Sequence, residues 1–226
     1  MNSDKRFLLL VGSAKRPRST SESLGTYLLE RLRERGFEAD TLLIHRSFGS
    51  DELREALLEV IDQADILVLA FPLYVDSLPS LLVRIMELMA ARRRERKESK
   101  KQRLLAIVNC GFPEAHHNDT AIAICRRFAK EAGFEWAGGL ALGGGEFING
   151  RPLSEMGKKV RNVTRSLDLT AEALAQSKAA SPEAMVLMAK PLVPGWMYTR
   201  IGGFMWKRRA KKHGVKKRLY DRPYQR

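Results

Sequence analysis

The sequence predicts an α/β fold: a doubly wound, five-stranded parallel sheet covered by helices on both faces, followed by a basic C-terminal extension. Three observations carry this reading. Short continuous apolar runs alternate with segments of helical periodicity from residue 7 to residue 167. The runs lack the in-and-out alternation of a sheet wetted on one side, so they suit strands buried on both faces. The alternation then breaks after about Ser181, where prolines, paired glycines and dense Lys and Arg take over.

The first strand is FLLLV, residues 7–11, ending at Gly12-Ser13. Polar residues follow through Ser21, and Leu24, Leu28 and Leu32 with Tyr27 then give a helix closed by Gly36 as its C-terminal cap. Residues 41–44 read as the second strand, and Leu53, Leu57, Val60 and Ile61 as the apolar stripe of the second helix. ILVLAFP, residues 66–72, is the third strand. Leu81, Leu82, Ile85, Met86 and Met89 form a third helix beginning near Pro79, a residue suited to a first helical turn. The run RRRERKESKKQR, residues 92–103, reads as a solvated helix end and loop. Residues 104–109 form the fourth strand, 120–132 the fourth helix with Gly133 behind it, and 136–142 the fifth strand. Leu153, Met156, Val160, Val163 and Leu167 continue at helical spacing into a fifth helix. Right-handed crossovers leave few topologies for such a chain. The domain boundaries are accordingly expected at 1–181 for the α/β body and 182–226 for the extension.

Composition narrows the function classes. A chain of 226 residues with 44% hydrophobic and 29% charged content is neither disordered nor collagen-like, and it needs no disulfide or metal staple. Cys110 and Cys125 are the only cysteines, which excludes a four-cysteine zinc site or iron–sulfur cluster within one chain and suits a reducing compartment. Lys5-Arg6 followed by FLLLV resembles a signal peptide only briefly, since the apolar stretch is shorter than an h-region of roughly 7–15 residues. The apolar run 66–75 is far short of the roughly 18 residues of a membrane span, and a cytoplasmic location is expected. The net charge of +14 is concentrated at the end of the chain: residues 184–226 carry 12 Lys and Arg and one acid, residues 1–183 carry 28 basic and 25 acidic side chains. Such a field bears on partners and solubility, not on the fold.

In a doubly wound sheet, ligands bind outside the carboxyl ends of the strands. The loop after strand one, GSAKRPRSTSE, clusters Ser13, Ser19, Thr20 and Ser21 where the first helix begins, with Lys15 and Arg18 nearby. Unpaired amides and the helix dipole make that place receptive to a phosphate, although Ser and Thr there also serve as ordinary helix caps. Neither a GxxxxGK phosphate loop nor a GxGxxG dinucleotide fingerprint is present, and no GxSxG supports a serine hydrolase. The loop after strand three, FPLYVDSLP, sets Leu73, Tyr74 and Val75 before a small hydroxyl, which could hold a flat heteroaromatic ring or simply cover the neighbouring helix. The loop after strand four, NCGFPEAHHND, again gathers Gly, Pro and polar groups, and GGGEFING follows strand five. His116 and His117 with Asp119 match no zinc spacing, so no metal site is assigned, and Cys110 reads as a buried filler before it reads as a redox thiol.

GSAKRPRSTSESL, AFPLYVDSLPS, NCGFPEAHHN and GGG, in this order and spacing, resemble the flavodoxin-like NAD(P)H-dependent FMN reductase and multimeric-flavodoxin superfamily over about residues 5–178. The resemblance implies a flavodoxin-like fold, FMN as cofactor and NAD(P)H as electron donor. It implies that Ser13, Arg18, Ser19, Thr20 and Ser21 hold the FMN phosphate. Pro72, Leu73, Tyr74, Val75, Asp76 and Ser77 would then line the isoalloxazine, and Asn109, Cys110, Gly111, Phe112 and Glu114 its pyrimidine side. It also implies a homo-oligomer and a small-molecule or protein electron acceptor. No protein acid or base is obligatory when the cofactor carries the chemistry, and no catalytic residue is nominated. The compact cysteine motif of the iron–sulfur branch is missing, and the basic tail is foreign to the acidic electron carriers. Two other readings stay open: an electron-transfer protein without NAD(P)H turnover, and a cofactor-free interaction module acting through its tail. In that tail, Trp196, Met197, Tyr198, Ile201, Phe204, Met205 and Trp206 precede KRRAKKHGVKKR, an arrangement expected to dock. The partner could be the body, a sister subunit, an anionic membrane or a nucleic acid, with the first two favoured.

Overall fold

The computed structural model describes residues 5–15, 18–96, 100–222 and 224–225, without the side chain of Ile201. Five parallel strands, β1 (Arg6–Val11), β2 (Glu38–Leu43), β3 (Ile66–Pro72), β4 (Arg103–Asn109) and β5 (Glu135–Leu142), form one sheet in the order β2-β1-β3-β4-β5. The winding therefore reverses beside β1, between β1 and β3. Successive residues of each central strand feed two different cores. Phe7, Leu9 and Val11 of β1, with Leu105 and Ile107 of β4, pack under α1 (Thr20–Arg33) and α5 (Arg161–Ala175). Leu8, Leu10, Leu104, Ala106 and Val108 pack under α2 (Asp51–Gln63), α3 (Ser80–Glu95) and α4 (Asp119–Glu131). Burial on both faces is why these strands read as unbroken apolar runs.

The caps act as their residue types dictate. Ser19 and Ser50 accept from the amides of Glu22 (3.1 Å) and Leu53 (3.3 Å), and Gly36 takes the left-handed conformation past the end of α1 at φ 84°.

Three expectations are corrected. The spacing of Leu153, Met156 and Val160 is not one α-helix. Two 3₁₀ turns, Leu153–Glu155 and Gly157–Val160, precede α5, because Pro152 and the left-handed Gly157 (φ 56°) interrupt the ladder. The run 92–103 is not merely solvated, although residues 97–99 lie outside the described residues. Arg93 stacks over Phe134 (4.1 Å) and donates to the carbonyls of Ala132 (2.6 Å) and Gly133 (3.0 Å), while Arg92 pairs with Asp62 (2.6 Å) and with Glu55. Finally, the body runs to Leu192 instead of residue 181. Ser181 caps a further helix, α6 (Pro182–Ala189), whose Ala184 and Met188 are fully buried, and Ser166 Oγ donates to the Ala184 carbonyl at 2.6 Å. The second compact unit, residues 193–226, holds α7 (Gly195–Lys212) and a short 3₁₀ turn, Lys216–Arg218. Among the described residues no helix is long and apolar enough to cross a membrane.

Candidate functional site

The sheet order places the ends of β1, β3, β4 and β5 side by side, so the four loops singled out by their composition meet at one edge. Asn109, at the end of β4, ties three of them together. It is buried, and its Nδ2 donates to Ser21 Oγ (2.7 Å) and to the Phe71 carbonyl (3.0 Å). Its carbonyl accepts from the Leu73 amide at 2.8 Å. Thr20 Oγ1 donates to the Gly145 carbonyl (2.7 Å), fastening the start of α1 to the loop after β5.

Each of the four hydroxyls makes a hydrogen bond within the protein. Ser19 caps α1, Thr20 and Ser21 are engaged inside the protein, and Ser13 Oγ accepts from the Lys15 amide at 3.3 Å. All four are buried. The amides of Thr20 and Ser21 precede the first intrahelical bond and have no helical acceptor. Lys15 Nζ bonds Asn149 Oδ1 across the loop. Arg18 is exposed and borders a groove of about 170 Å³ along α1 that also carries Glu22 and Glu30. Arg16 and Pro17 of this loop lie outside the described residues.

The loop after β3 is a two-residue hairpin. Tyr74 and Ser77 exchange both main-chain bonds, at 2.9 and 3.0 Å, and Val75 and Asp76 between them have φ of 47° and 55°. Positive φ at both central positions is type I′ geometry, which favours Asn-Gly and penalises a β-branched residue. Val75 is nonetheless 99% exposed, and Tyr74 is 50% exposed. A strained, fully exposed apolar residue at a strand end is a feature of sites more than of scaffolds. Pro72, Leu73 and Ser77 are half-buried and anchor the turn, and Asp76 is exposed.

The loop after β4 splits into a buried floor and an exposed rim. Cys110 lies in the floor with its Sγ 3.4 Å from Asn118 Nδ2, and burial pushes its thiol pKa up, only partly opposed by that hydrogen bond. A thiol kept protonated is a filler and not a ready nucleophile. Phe112 is exposed and stacks on His117 (4.4 Å), which stacks on His116 (4.5 Å), with Glu114 Oε2 3.7 Å from His117 Nε2. Gly111 and Glu114 are exposed with it. Among the described residues no group of three or more His, Cys, Asp and Glu could hold a metal ion.

One contributor escaped the sequence reading, and a second was seen without its contacts. Asn118, fully buried, donates to the carbonyls of Ala115 (3.0 Å) and Leu142 (3.2 Å) and supports the whole turn. The triple glycine after β5 is required by contact: a Cβ at Gly143 would lie 2.2 Å from the Pro113 carbonyl oxygen, and one at Gly145 2.8 Å from Asn109 Oδ1. The Gly144 and Gly145 amides donate to the carbonyls of Phe112 (2.6 Å) and Cys110 (2.8 Å). The glycines were visible as a signal, but their partner loop was not.

A protein-family model described as a flavodoxin-like fold matches residues 5–144. This chain belongs to the flavodoxin-like family. No curated protein matches it. Among solved structures, RosB with the bound intermediate 8-demethyl-8-formylriboflavin-5′-phosphate is 16% identical with a TM-score of 0.57, the match covering 89% of this chain and 87% of that one. A flavone reductase is 13% identical with a TM-score of 0.57 over 78% of this chain and 65% of its own. A flavodoxin from Streptococcus pneumonia TIGR4 is 15% identical with a TM-score of 0.51, covering 76% of this chain and 98% of that one. At such identities the likeness is one of fold. The family match ends at residue 144, before α5, α6 and the basic unit that follow.

Proposed function

We propose that this protein is an FMN-dependent oxidoreductase that takes hydride from NAD(P)H and delivers the electrons to a separate acceptor. The observation that carries the reading is one of position. The first amides of α1, which precede its first intrahelical bond, lie on the same sheet edge as two exposed apolar surfaces, Tyr74-Val75 and Phe112. An anion at the helix terminus and a flat ring between the apolar surfaces are what a flavin mononucleotide presents.

The residues fit that group. Thr20 and Ser21 would hold the phosphate through main-chain N–H groups, with Lys15 and Arg18 supplying positive charge, and Ser19, Asn109 and Gly145 would keep those amides in place. Tyr74 and Val75 would cover one side of the ring and Phe112 another, excluding water from its apolar edge. The main chain of residues 110–112 would face its polar edge. Bound FMN supplies the redox chemistry, accepting hydride and passing electrons on, and the chain supplies orientation and field. RosB with its bound riboflavin-5′-phosphate derivative and the flavone reductase share the fold, which supports a flavin over other ligands of such sheets.

The test is a titration of the protein with FMN and riboflavin, followed by anaerobic NADPH and NADH. Tighter binding of FMN than of riboflavin and bleaching by a nicotinamide support the reading. A bound flavin indifferent to both nicotinamides would make the protein an electron carrier.

A further inference from the structure

The unit of residues 193–226 has a composition the redox reading does not use. Its sequence carries 11 Lys and Arg against the single acid Asp221, and Asp221 is already paired with Arg218 at 2.9 Å. Charge and apolarity are separated along the chain and not around the helix. From Gly195 to Trp206 the only charged residue is Arg200, whereas five of the six residues 207–212 are basic. Within the apolar half of α7, Trp196, Phe204, Met205 and Trp206 are 62–74% exposed. Beyond α7, Lys216, Lys217 and Arg218 are exposed, as are Tyr220 and Tyr224.

Large apolar side chains left in water beside a dense positive field call for a partner with an apolar phase and negative charge. A second copy of this unit would bring the same positive charge. Residues 1–192, with 29 basic and 25 acidic side chains, carry no net negative charge to complement it. A nucleic acid supplies phosphates, but it has no apolar phase for two indoles, a phenyl ring and a thioether grouped in one half-helix. An anionic lipid surface supplies both. The apolar half, 12 residues and so about 18 Å of helix, is too short to span a hydrocarbon core of about 30 Å.

We propose that residues 193–226 dock this protein on anionic membrane surfaces. The apolar half of α7 enters the headgroup–acyl boundary, and residues 207–218 lie over the lipid phosphates. The aromatics fix depth, and the Lys and Arg residues give the preference for anionic lipid and its sensitivity to salt.

The experiment is co-sedimentation of the full chain with vesicles of phosphatidylcholine alone, and with vesicles containing about one third phosphatidylglycerol. Partitioning should be at least about tenfold stronger on the anionic vesicles and fall severalfold as salt rises from about 0.1 to 0.5 M. The variant Trp196→Ser/Phe204→Ser/Trp206→Ser should lose about tenfold or more on anionic vesicles while keeping the charge. Lys207→Gln/Arg208→Gln/Arg209→Gln should erase most of the preference over neutral lipid. Both variants should keep the parent's melting temperature for the α/β body, which separates a docking defect from misfolding. Equal partitioning on the two vesicle types overturns the proposal, and so does binding that survives loss of the aromatics. Indifference to vesicles with tight binding to a short DNA duplex makes the unit a nucleic-acid binder. Indifference to vesicles with loss of a dimer in the aromatic variant makes it a subunit clasp.

Discussion

Replacing Val75 by Asn should make the protein more stable and the flavin site worse. Val75 sits at φ 47° in a turn whose two closing bonds, Tyr74 N–H to Ser77 O and Ser77 N–H to Tyr74 O, are both main chain. The substitution therefore removes no hydrogen bond, and at 99% exposure it uncovers no buried surface. What it removes is the strain of a β-branched residue in the left-handed region, of order 1–2 kcal/mol, since Asn tolerates that region. For a cooperative unit of this size, about 1 kcal/mol raises the melting temperature by roughly 2–4 °C. If Val75 covers the ring, losing part of its apolar contact costs about 1 kcal/mol, or roughly five- to tenfold in the FMN dissociation constant. The assay is a pair of measurements on one variant: thermal unfolding of the flavin-free protein, and fluorescence titration with FMN. A melting temperature that falls would refute the strain argument. A higher melting temperature with unchanged FMN affinity would show that the turn does not touch the cofactor.

Other consequences follow from the same geometry. Thr20→Val should cost about 1–2 kcal/mol in chemical denaturation, because the Gly145 carbonyl loses its donor, and should loosen FMN through the displaced amides, with an unaltered denaturation midpoint counting against it. Gly143→Ala puts a methyl 2.2 Å from the Pro113 carbonyl oxygen, so the loop after β4 must move. A loss of at least about 2 kcal/mol is expected, and a wild-type midpoint would contradict the contact. Burial pushes the Cys125 thiol from 9.0 to about 12, so the folded state keeps it protonated. Its stabilisation is whole below pH 9 and is lost as pH rises from about 9 towards 12. Cys125→Ala should therefore flatten the alkaline fall of the melting temperature in that window, and an identical slope would speak against burial of the thiol.

The central strands and the sheet class were legible because burial on both faces writes an unbroken apolar run, as in ILVLAFP and LLAIV. The edge strand β2 was placed late, starting at residue 41 and not at Glu38, because Glu38, Asp40 and Thr41 are exposed there and carry no apolar signature. The false continuous fifth helix came from Leu153, Met156 and Val160, which share helical spacing because two 3₁₀ turns also bury every third or fourth residue. α6 was hidden by the prolines around it, although Ser181-Pro182 is itself a helix start.

At the site, composition pointed to loops that the fold brings to one edge, but not to the partners their hydroxyls take there. Ser19, Thr20 and Ser21 read as phosphate ligands, and in the fold they also bond the amide of Glu22, the carbonyl of Gly145 and the side chain of Asn109. The Gly145 and Asn109 partners lie 125 and 88 residues away, and no local pattern announces them. Asn118 escaped for the same reason, since its value lies in carbonyls of two other segments.

On the function proposed for this protein, the edge formed by the ends of β1, β3 and β4 binds FMN and lets a nicotinamide reduce it. Anaerobic mixing of the FMN-loaded protein with NADPH and, separately, NADH tests it most directly. The visible flavin absorption should bleach with at least one of them and return when an electron acceptor is added. Failure of the flavin-free protein to take up FMN at all would contradict it.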